Sequence, residues 1–370
     1  PSVRNQPTVP LAESPIVLAA SYGQLPARLA ALRLPRTGWV ISHDRLLARH
    51  GRDLLVPLRR AGWAVETISV PESEHSKSLA TAERVLRHLT RGAAMHAPVL
   101  FAFGGGVVGD LAGFVAAVFR RGVPYVQLPT TLLAQVDSAI GGKVGVDLPA
   151  GKNLVGAFWQ PRLVYNNVAP LGSLPLRQRR SGLAEVIKYG VIADPRLFRY
   201  VEARLEACLA LEPLAVRVMV QRSAAIKARV VSQDEREARG PRLHLNFGHT
   251  VGHALEAATG YRRFTHGEAI AIGMCVAGRL SAELSLWPEA ALERLTRLIL
   301  AAGLPVRAWG VPPRAVWRAL RYDKKFIHGR PRWVLPTRLG RVIITELVPE
   351  RLVRRVVGEY IHPGTATDFQ

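Results

Sequence analysis

The chain has 370 residues, 48% of them hydrophobic and 21% charged, with a formal net charge of +22. These proportions suit a folded globular protein of about two domains. No uninterrupted apolar run reaches the roughly 18 residues of a membrane span, which argues against a membrane partner. The positive charge raises the question of nucleic acid. The basic residues are scattered, however, aromatics are only 7%, and no helix-turn-helix, finger or RNP pattern is present. The expectation is an arginine-rich surface that attracts an acidic metabolite.

The first residues show no basic-then-apolar signal pattern, so a cytoplasmic protein is expected. Cys208 and Cys275 are far apart in helix-like segments and are expected as buried thiols. Of the 50 lysines and arginines only seven are lysines: Lys77, Lys143, Lys152, Lys188, Lys227, Lys324 and Lys325. Where arginine is the default cation, a retained lysine marks a place that needs a compact ammonium.

In chain order, short apolar runs at residues 38–42, 64–70, 98–103, 125–128 and 162–166 read as strands. Amphipathic stretches at 44–60 and 77–91 lie between them. Strand–helix alternation predicts an α/β N-terminal domain, a variant Rossmann-like parallel sheet covered by helices. Residues 98–103 lead into Gly104, Gly105, Gly106, Val107, Val108, Gly109 and Asp110, a G-x-G-x-x-G turn between strand and helix. Such a turn lets the backbone approach a pyrophosphate at a helix N-terminus. It departs from the usual fingerprint. It follows about the third strand, and no acid lies some 20 residues on; Asp110 is immediate instead.

A polar run from Pro129 through Thr130, Thr131, Asp137 and Gly141-Gly142-Lys143 is followed by Gly151-Lys152-Asn153. Both glycine–lysine pairs join a flexible backbone to an ammonium, which suits phosphate or carboxylate; the bland alternative is two ordinary loops with exposed lysines. Gly172 and Pro175 interrupt the pattern. The expected division is residues 1–173, binding the nucleotide, and 174–370, mainly α-helical and binding metal and substrate. Residues 183–302 recur at helical spacing, and residues 333–347 read as a hairpin with its turn near Leu339-Gly340. His249 and His253 are four apart on one helix face, His266-Gly267-Glu268 opens a further helix, and Glu185 and Lys188 share a face. Histidine nitrogens with one carboxylate form a catalytic zinc set. Spacing alone leaves His253 and His266 open as ligands.

Taken together, residues 104–114, Arg121-Gly122, 129–143, 151–156, 183–188, 245–256, 266–274 and 323–325 resemble the 3-dehydroquinate synthase family of sugar phosphate cyclases. The resemblance runs from about residue 71 to 335. It implies a two-domain enzyme with its site in the cleft between the domains, and catalytic NAD with a divalent metal, zinc or cobalt. The implied substrate is 3-deoxy-arabino-heptulosonate 7-phosphate, a small anionic sugar phosphate. The implied reaction is transient oxidation at carbon 5, elimination of phosphate, return of the hydride, ring opening and aldol closure to 3-dehydroquinate. The implied metal ligands are Glu185, His249 and His266. Substrate contacts are implied for Asp137, Lys143, Asn153, Lys188, Lys227, Arg242, Asn246, His253 and one of Lys324 or Lys325. Glu74, Lys77, Gly104, Gly105, Gly106, Val107, Asp110, Thr130, Thr131 and Lys152 fall to the cofactor. Arg121 is implied to reach a neighbouring subunit's substrate, hence a homodimer. Asn166-Asn167 departs from the family pattern, where an aspartate is common. The competing readings are another sugar-phosphate cyclase, a metal-dependent polyol dehydrogenase and a basic nucleic-acid-binding protein.

Overall fold

The computed structural model describes residues 8–11, 14–92, 98–149, 151–237, 240–322, 326–327 and 330–364. Lys324 and Lys325 lie outside the described residues. The chain divides into two compact units, Pro1–Leu174 with Val220–Arg236 and Pro175–Met219 with Glu237–Gln370.

The first unit has nine strands among the described residues: β1 (Thr8–Leu11), β2 (Ser14–Ala19), β3 (Thr37–Ser42), β4 (Ala64–Ser69), β5 (Val99–Gly104), β6 (Tyr125–Pro129), β7 (Lys143–Leu148), β8 (Gly151–Phe158) and β9 (Leu163–Asn167). Helices α1 (Leu25–Ala31), α2 (Asp44–Arg60), α3 (Leu79–Gly92) and α4 (Gly106–Val118) alternate with them. Seven strands form one sheet in the order β1-β2-β9-β6-β5-β3-β4, all parallel except β1 at the edge. Every residue of β5 and β6 is buried, as expected of strands covered on both faces.

Period-two alternation divides their side chains between two cores. Trp39, Ile41, Leu100 and Ala102 meet Val85 and Leu89 of α3 and Leu111 and Val115 of α4. Val40, Phe101, Phe103 and Val126 meet Leu25 and Leu29 of α1 and Leu54 and Leu58 of α2.

The strands and helices read from periodicity in this half are present. Two expectations are corrected. Ser14–Ala19 is a parallel strand, so the glycine turn follows the fourth parallel strand in chain order and not the third. Gly141 and Gly142 precede β7, but Lys143 and Gly151-Lys152-Asn153 are not in loops: they lie on the paired strands of an antiparallel hairpin, β7–β8. Its core-facing side lies on α4 at Gly113, where a Cβ would collide with Val144.

The second unit is mainly helical. It holds α5 (Leu176–Ile192), α6 (Pro195–Ala203), α7 (Leu205–Ala210) and the start of α8 (Pro213–Gln233), whose residues from Val220 on belong to the first unit. Then come α9 (His249–Ala258), α10 (His266–Glu283), α11 (Glu289–Ala301) and α12 (Pro313–Tyr322). Short strands β10 (Phe326–Ile327) and β11 (Arg330–Pro331) precede the hairpin of β12 (Trp333–Arg338) and β13 (Arg341–Thr345), and α13 (Glu350–Tyr360) ends the unit.

The helical spacing read across residues 183–302 is interrupted just before His249. A 3-10 turn, Pro241–Asn246, ends before Gly248, whose φ of 78° is left-handed and which caps α9 at its start, His249. Cys208 and Cys275 are buried free thiols.

Candidate active site

In the second unit, close helix packing builds a cluster of titratable side chains. A Cβ on Gly267 would collide with the Ser181 backbone of α5, and one on Gly273 would collide with the Gly248 carbonyl. Glycine at both positions therefore lets α10 approach α5 and the start of α9 at backbone distance. His249 and His266 are each the first residue of their helix, and α10 is fixed by a Thr265–Glu268 capping box. Their Nε2 atoms both lie 3.3 Å from Oε1 of Glu185, on the central turns of α5. Lys188, one turn on, forms an ion pair with Oε2 of Glu185 and sits 4.5 Å over the Tyr189 ring. Both Glu185 and Lys188 are buried.

Burial would raise the Glu185 carboxyl. The Lys188 ammonium and the two imidazoles outweigh it and hold the group well below the usual carboxylate range. Burial likewise disfavours a charged His266, but Glu185 and Glu256 push its pKa up to about 10. Neither Glu185 oxygen receives a hydrogen bond of good geometry, although both are buried. A carboxylate presented this way, with two imidazole nitrogens beside it, fits a divalent cation. One ligand atom from each of Glu185, His249 and His266 falls within a 4.8 Å set. Two nitrogens and one oxygen suit zinc or cobalt.

His253 is half-buried one turn beyond His249, its ring 5.2 Å from the His249 ring and 5.9 Å from the His266 ring. Buried Arg242 and half-buried Asn246 lie on the 3-10 turn that leads into α9.

In the first unit, the glycine turn joins β5 to α4. Gly105 is the N-cap residue and offers no side-chain cap to the first N–H groups of α4, which lack acceptors within their own helix. A Cβ on Gly105 would come within 3.1 Å of Thr131, and one on Gly106 within 3.1 Å of the Ser138 hydroxyl. Val107 is half-buried on the first turn. The Thr130 amide donates to the Gly104 carbonyl at 2.9 Å, and the Thr131 hydroxyl accepts from the Ala134 amide at 3.1 Å.

Beside this turn Lys77 is buried. Its ammonium is 2.5 Å from Asp110 Oδ2, donates to Asn153 Oδ1, and lies 4.0 Å from Asp147. Burial would lower the ammonium pKa, but Asp110, Asp147 and Glu74 outweigh it and raise it. Asn153 is left-handed, with φ 54°, and its amide donates to Asp147 at 2.8 Å. Lys152 pairs with exposed Glu74 at 2.7 Å. Lys227, on the part of α8 that belongs to this unit, is 2.8 Å from Asp137 Oδ1 and donates to the Asp137 carbonyl at 2.7 Å. Asp137 lies in a π-helical turn, Ala134–Ser138. Lys143 is exposed at the start of β7. Arg121 is exposed in a left-handed run with Arg120 and Gly122, at φ 64°, 50° and 124°.

The structure thus brings Glu185, Lys188, His249, His253 and His266 together in one unit, and Lys77, Asp110 and Asn153 together in the other. Three residues were missed. Asp147 joins the Lys77 cluster through the hairpin. Glu256 Oε2 lies 3.4 Å from His266 Nδ1. Buried Gln135 donates to the carbonyls of Pro129 and Asn167, which ties the π-helical turn to two strand ends. A carboxylate two turns along from His249 was the one available signal, for Glu256.

A family model described as 3-dehydroquinate synthase N-terminal matches residues 67–181, and one described as 3-dehydroquinate synthase C-terminal matches residues 182–326. The two together span well over half of the chain. The chain belongs to the 3-dehydroquinate synthase family. A 3-dehydroquinate synthase from Nostoc punctiforme is 43% identical over 344 residues, 92% of this chain and 94% of that relative.

The solved structures extend the likeness beyond this family. A 2-epi-5-epi-valiolone synthase from Streptomyces hygroscopicus, with NAD+ and Zn2+ bound, has a TM-score of 0.86 at 25% identity, over 93% of this chain and 95% of that one. A 2-deoxy-scyllo-inosose synthase complexed with carbaglucose-6-phosphate, NAD+ and Co2+ has a TM-score of 0.83 at 25% identity, over 96% of this chain and 100% of that one. Asn166 and Asn167, expected from the resemblance to lie where an aspartate is common, are buried at the end of β9, and the contact of Asn167 is a local one. Its side chain accepts from the Ala169 amide at 3.1 Å, a turn contact that an amide oxygen makes as well as a carboxylate.

Proposed function

We propose that this chain is a phosphorus–oxygen lyase of the shikimate pathway. It converts 3-deoxy-D-arabino-heptulosonate 7-phosphate to 3-dehydroquinate and phosphate in the cytoplasm, with catalytic NAD and zinc or cobalt. The observation that carries this reading is the convergence of Glu185, His249 and His266, in a chain whose relatives over nine-tenths of its length are 3-dehydroquinate synthases.

When bound, the nucleotide supplies a reversible hydride acceptor and the metal supplies Lewis acidity at a substrate hydroxyl. The first unit would hold the nucleotide: the N-terminus of α4 would receive its pyrophosphate, with Gly104, Gly105, Gly106, Val107, Thr130 and Thr131 shaping the approach. Glu74, Lys77, Asp110 and Lys152 complete that site. Glu185, His249 and His266 would hold the metal.

The substrate carries a carboxylate and a phosphate, so cations converge on it: Lys143, Lys188, Lys227, Arg242 and one of Lys324 or Lys325. Asp137, Asn153, Asn246 and His253 orient its hydroxyls. Among the described residues no carboxylate outside the metal set is an obvious base, so the departing phosphate takes the adjacent carbon-bound proton itself. Arg121 reaches the substrate of a neighbouring subunit, in a homodimer. The protein's share of the rate is placement and charge neutralisation.

The test is turnover of 3-deoxy-arabino-heptulosonate 7-phosphate by metal-loaded protein with catalytic NAD. Phosphate release with 3-dehydroquinate and no net NADH is expected. NADH accumulating with a polyol would replace this reading by a polyol dehydrogenase. A folded protein that binds NAD and metal but leaves this substrate intact would point to another sugar-phosphate cyclase.

A further inference from the structure

We infer that Glu256 is a positioning residue for His266, acting as the carboxylate behind a metal-bound imidazole. The inference rests on the metal reading above. A neutral imidazole has one N–H and one lone pair, and a ligand nitrogen must keep its lone pair for the cation. In His266 the nitrogen that faces Glu185 is Nε2, at 3.3 Å. The proton then belongs on Nδ1, and the acceptor there is Glu256 Oε2 at 3.4 Å.

His249 uses the same division with a different acceptor. Its Nε2 faces Glu185 and its Nδ1 lies 3.1 Å from the Phe247 carbonyl. The two histidines therefore differ in what stands behind them, a backbone carbonyl for His249 and a buried carboxylate for His266. The carboxylate is the stronger acceptor and makes its imidazole the more basic ligand.

Helix α9 contributes twice. It supplies one ligand from its first residue and, two turns later, the group that orients the ligand on α10. A competing assignment makes Glu256 itself a ligand, since His253, Glu256 and His266 also bring one donor atom each within 4.8 Å. That set would take the cation away from Glu185, the carboxylate that lacks hydrogen bonds of good geometry.

The test is Co2+ binding by the metal-stripped, full-length protein, in competition with a chromophoric chelator, with the visible Co2+ spectrum recorded alongside. Glu256→Ala is expected to weaken Co2+ about 10–100-fold and to shift the band positions, with the coordination number and NAD affinity unchanged. Glu256→Gln keeps an acceptor without the charge, and its loss is expected to be smaller. Co2+ affinity within twofold of the parent, with a superimposable spectrum, would overturn the inference. A change of coordination number would overturn it in favour of Glu256 as a ligand. If the alanine variant does not fold, the glutamine variant decides by the same two criteria. A parent protein that binds no Co2+ would sink the metal reading together with this one. A parent that binds it beside an unaffected variant would sink this one alone.

Discussion

Two imidazoles and an ammonium converge on the carboxylate of Glu185, deep inside the second unit. Removing one partner of a buried ion pair leaves the other uncompensated, at a cost of about 3–5 kcal/mol, whereas replacing both with apolar groups is often neutral. Glu185→Leu is therefore expected to lower stability by about that amount, and adding Lys188→Met to recover most of it. Both variants are expected to lose the divalent metal and all turnover. Chemical denaturation separates the two effects.

Lys77 makes a parallel case in the first unit, since its ammonium joins Asp110 beside the glycine turn to Asn153 of the hairpin. Lys77→Met is expected to weaken NAD about tenfold or more by titration calorimetry, the worth of a charged hydrogen bond lost in a buried setting.

The scarcity of lysine drew attention to three buried ammonium groups. Lys77, Lys188 and Lys227 are the buried ones among the described residues, and each has a carboxylate against it. Spacing could not choose between His253 and His266, for a physical reason. His253 shares a helix with His249, whereas the approach of His266 depends on how α10 is packed. Glu256 carried only its spacing from His249, since its contact with His266 depends on that same packing, and Asp147 was illegible because its contact with Lys77 joins elements distant in sequence.

Among the elements, the approach of α10 to α5 and to the start of α9 depends on missing side chains. Gly273→Ala is expected to cost about 1–3 kcal/mol, the range for overpacking a tight interface, and to weaken metal binding because the displaced segment carries His249. Gly358→Ala on the exposed side of α13 is the control. Nothing lies within 4 Å of a Cβ there, so a gain of about 0.5–1 kcal/mol is expected. Thermal melts with and without metal test both.

Between α6 and α11, Arg294 grips Glu202 through two contacts of 2.8 and 2.6 Å and holds its carboxyl below the usual range. A depressed carboxyl adds stability above the ordinary carboxylate range and loses it as pH falls through the folded-state value. Both groups are about a third exposed, so Glu202→Gln is expected to cost less than about 1 kcal/mol at neutral pH, with the difference vanishing in acid.

Periodicity revealed the covered strands and amphipathic helices. It missed β7–β8 because glycines at Gly145 and Gly156 occupy facing positions, and a Cβ on either would press on the opposite backbone. Such a hairpin carries a weak strand signal.

For the whole molecule, the formal charge of +22 is large for a chain of this size. A field of that sign draws in a dianionic substrate and is screened by salt. Between roughly 20 and 300 mM ionic strength, kcat/KM is expected to fall several-fold with kcat nearly constant. An unchanged kcat/KM would confine the charge to a surface without a role in encounter. The overall plan, a covered parallel sheet followed by helices, was legible from the change in period along the chain. The return of residues 220–236 to the first unit was not, because α8 continues without a break and its sequence gives no sign that its second half has a different home.

That return has a consequence for inheritance as much as for folding. Ala224, Ala228 and Val231, successive positions on one side of α8, close over Ile16, Ala139, Ile140 and Val164, and Lys227 beside them meets Asp137. A fragment ending at residue 181, where one family model gives way to the other, would leave that apolar surface bare and take Lys227 away from Asp137. A gene crossover at the same point would separate residues that have to change together. No single cut in this chain exchanges one unit and leaves the other whole, so the two halves are bound to be inherited as a pair.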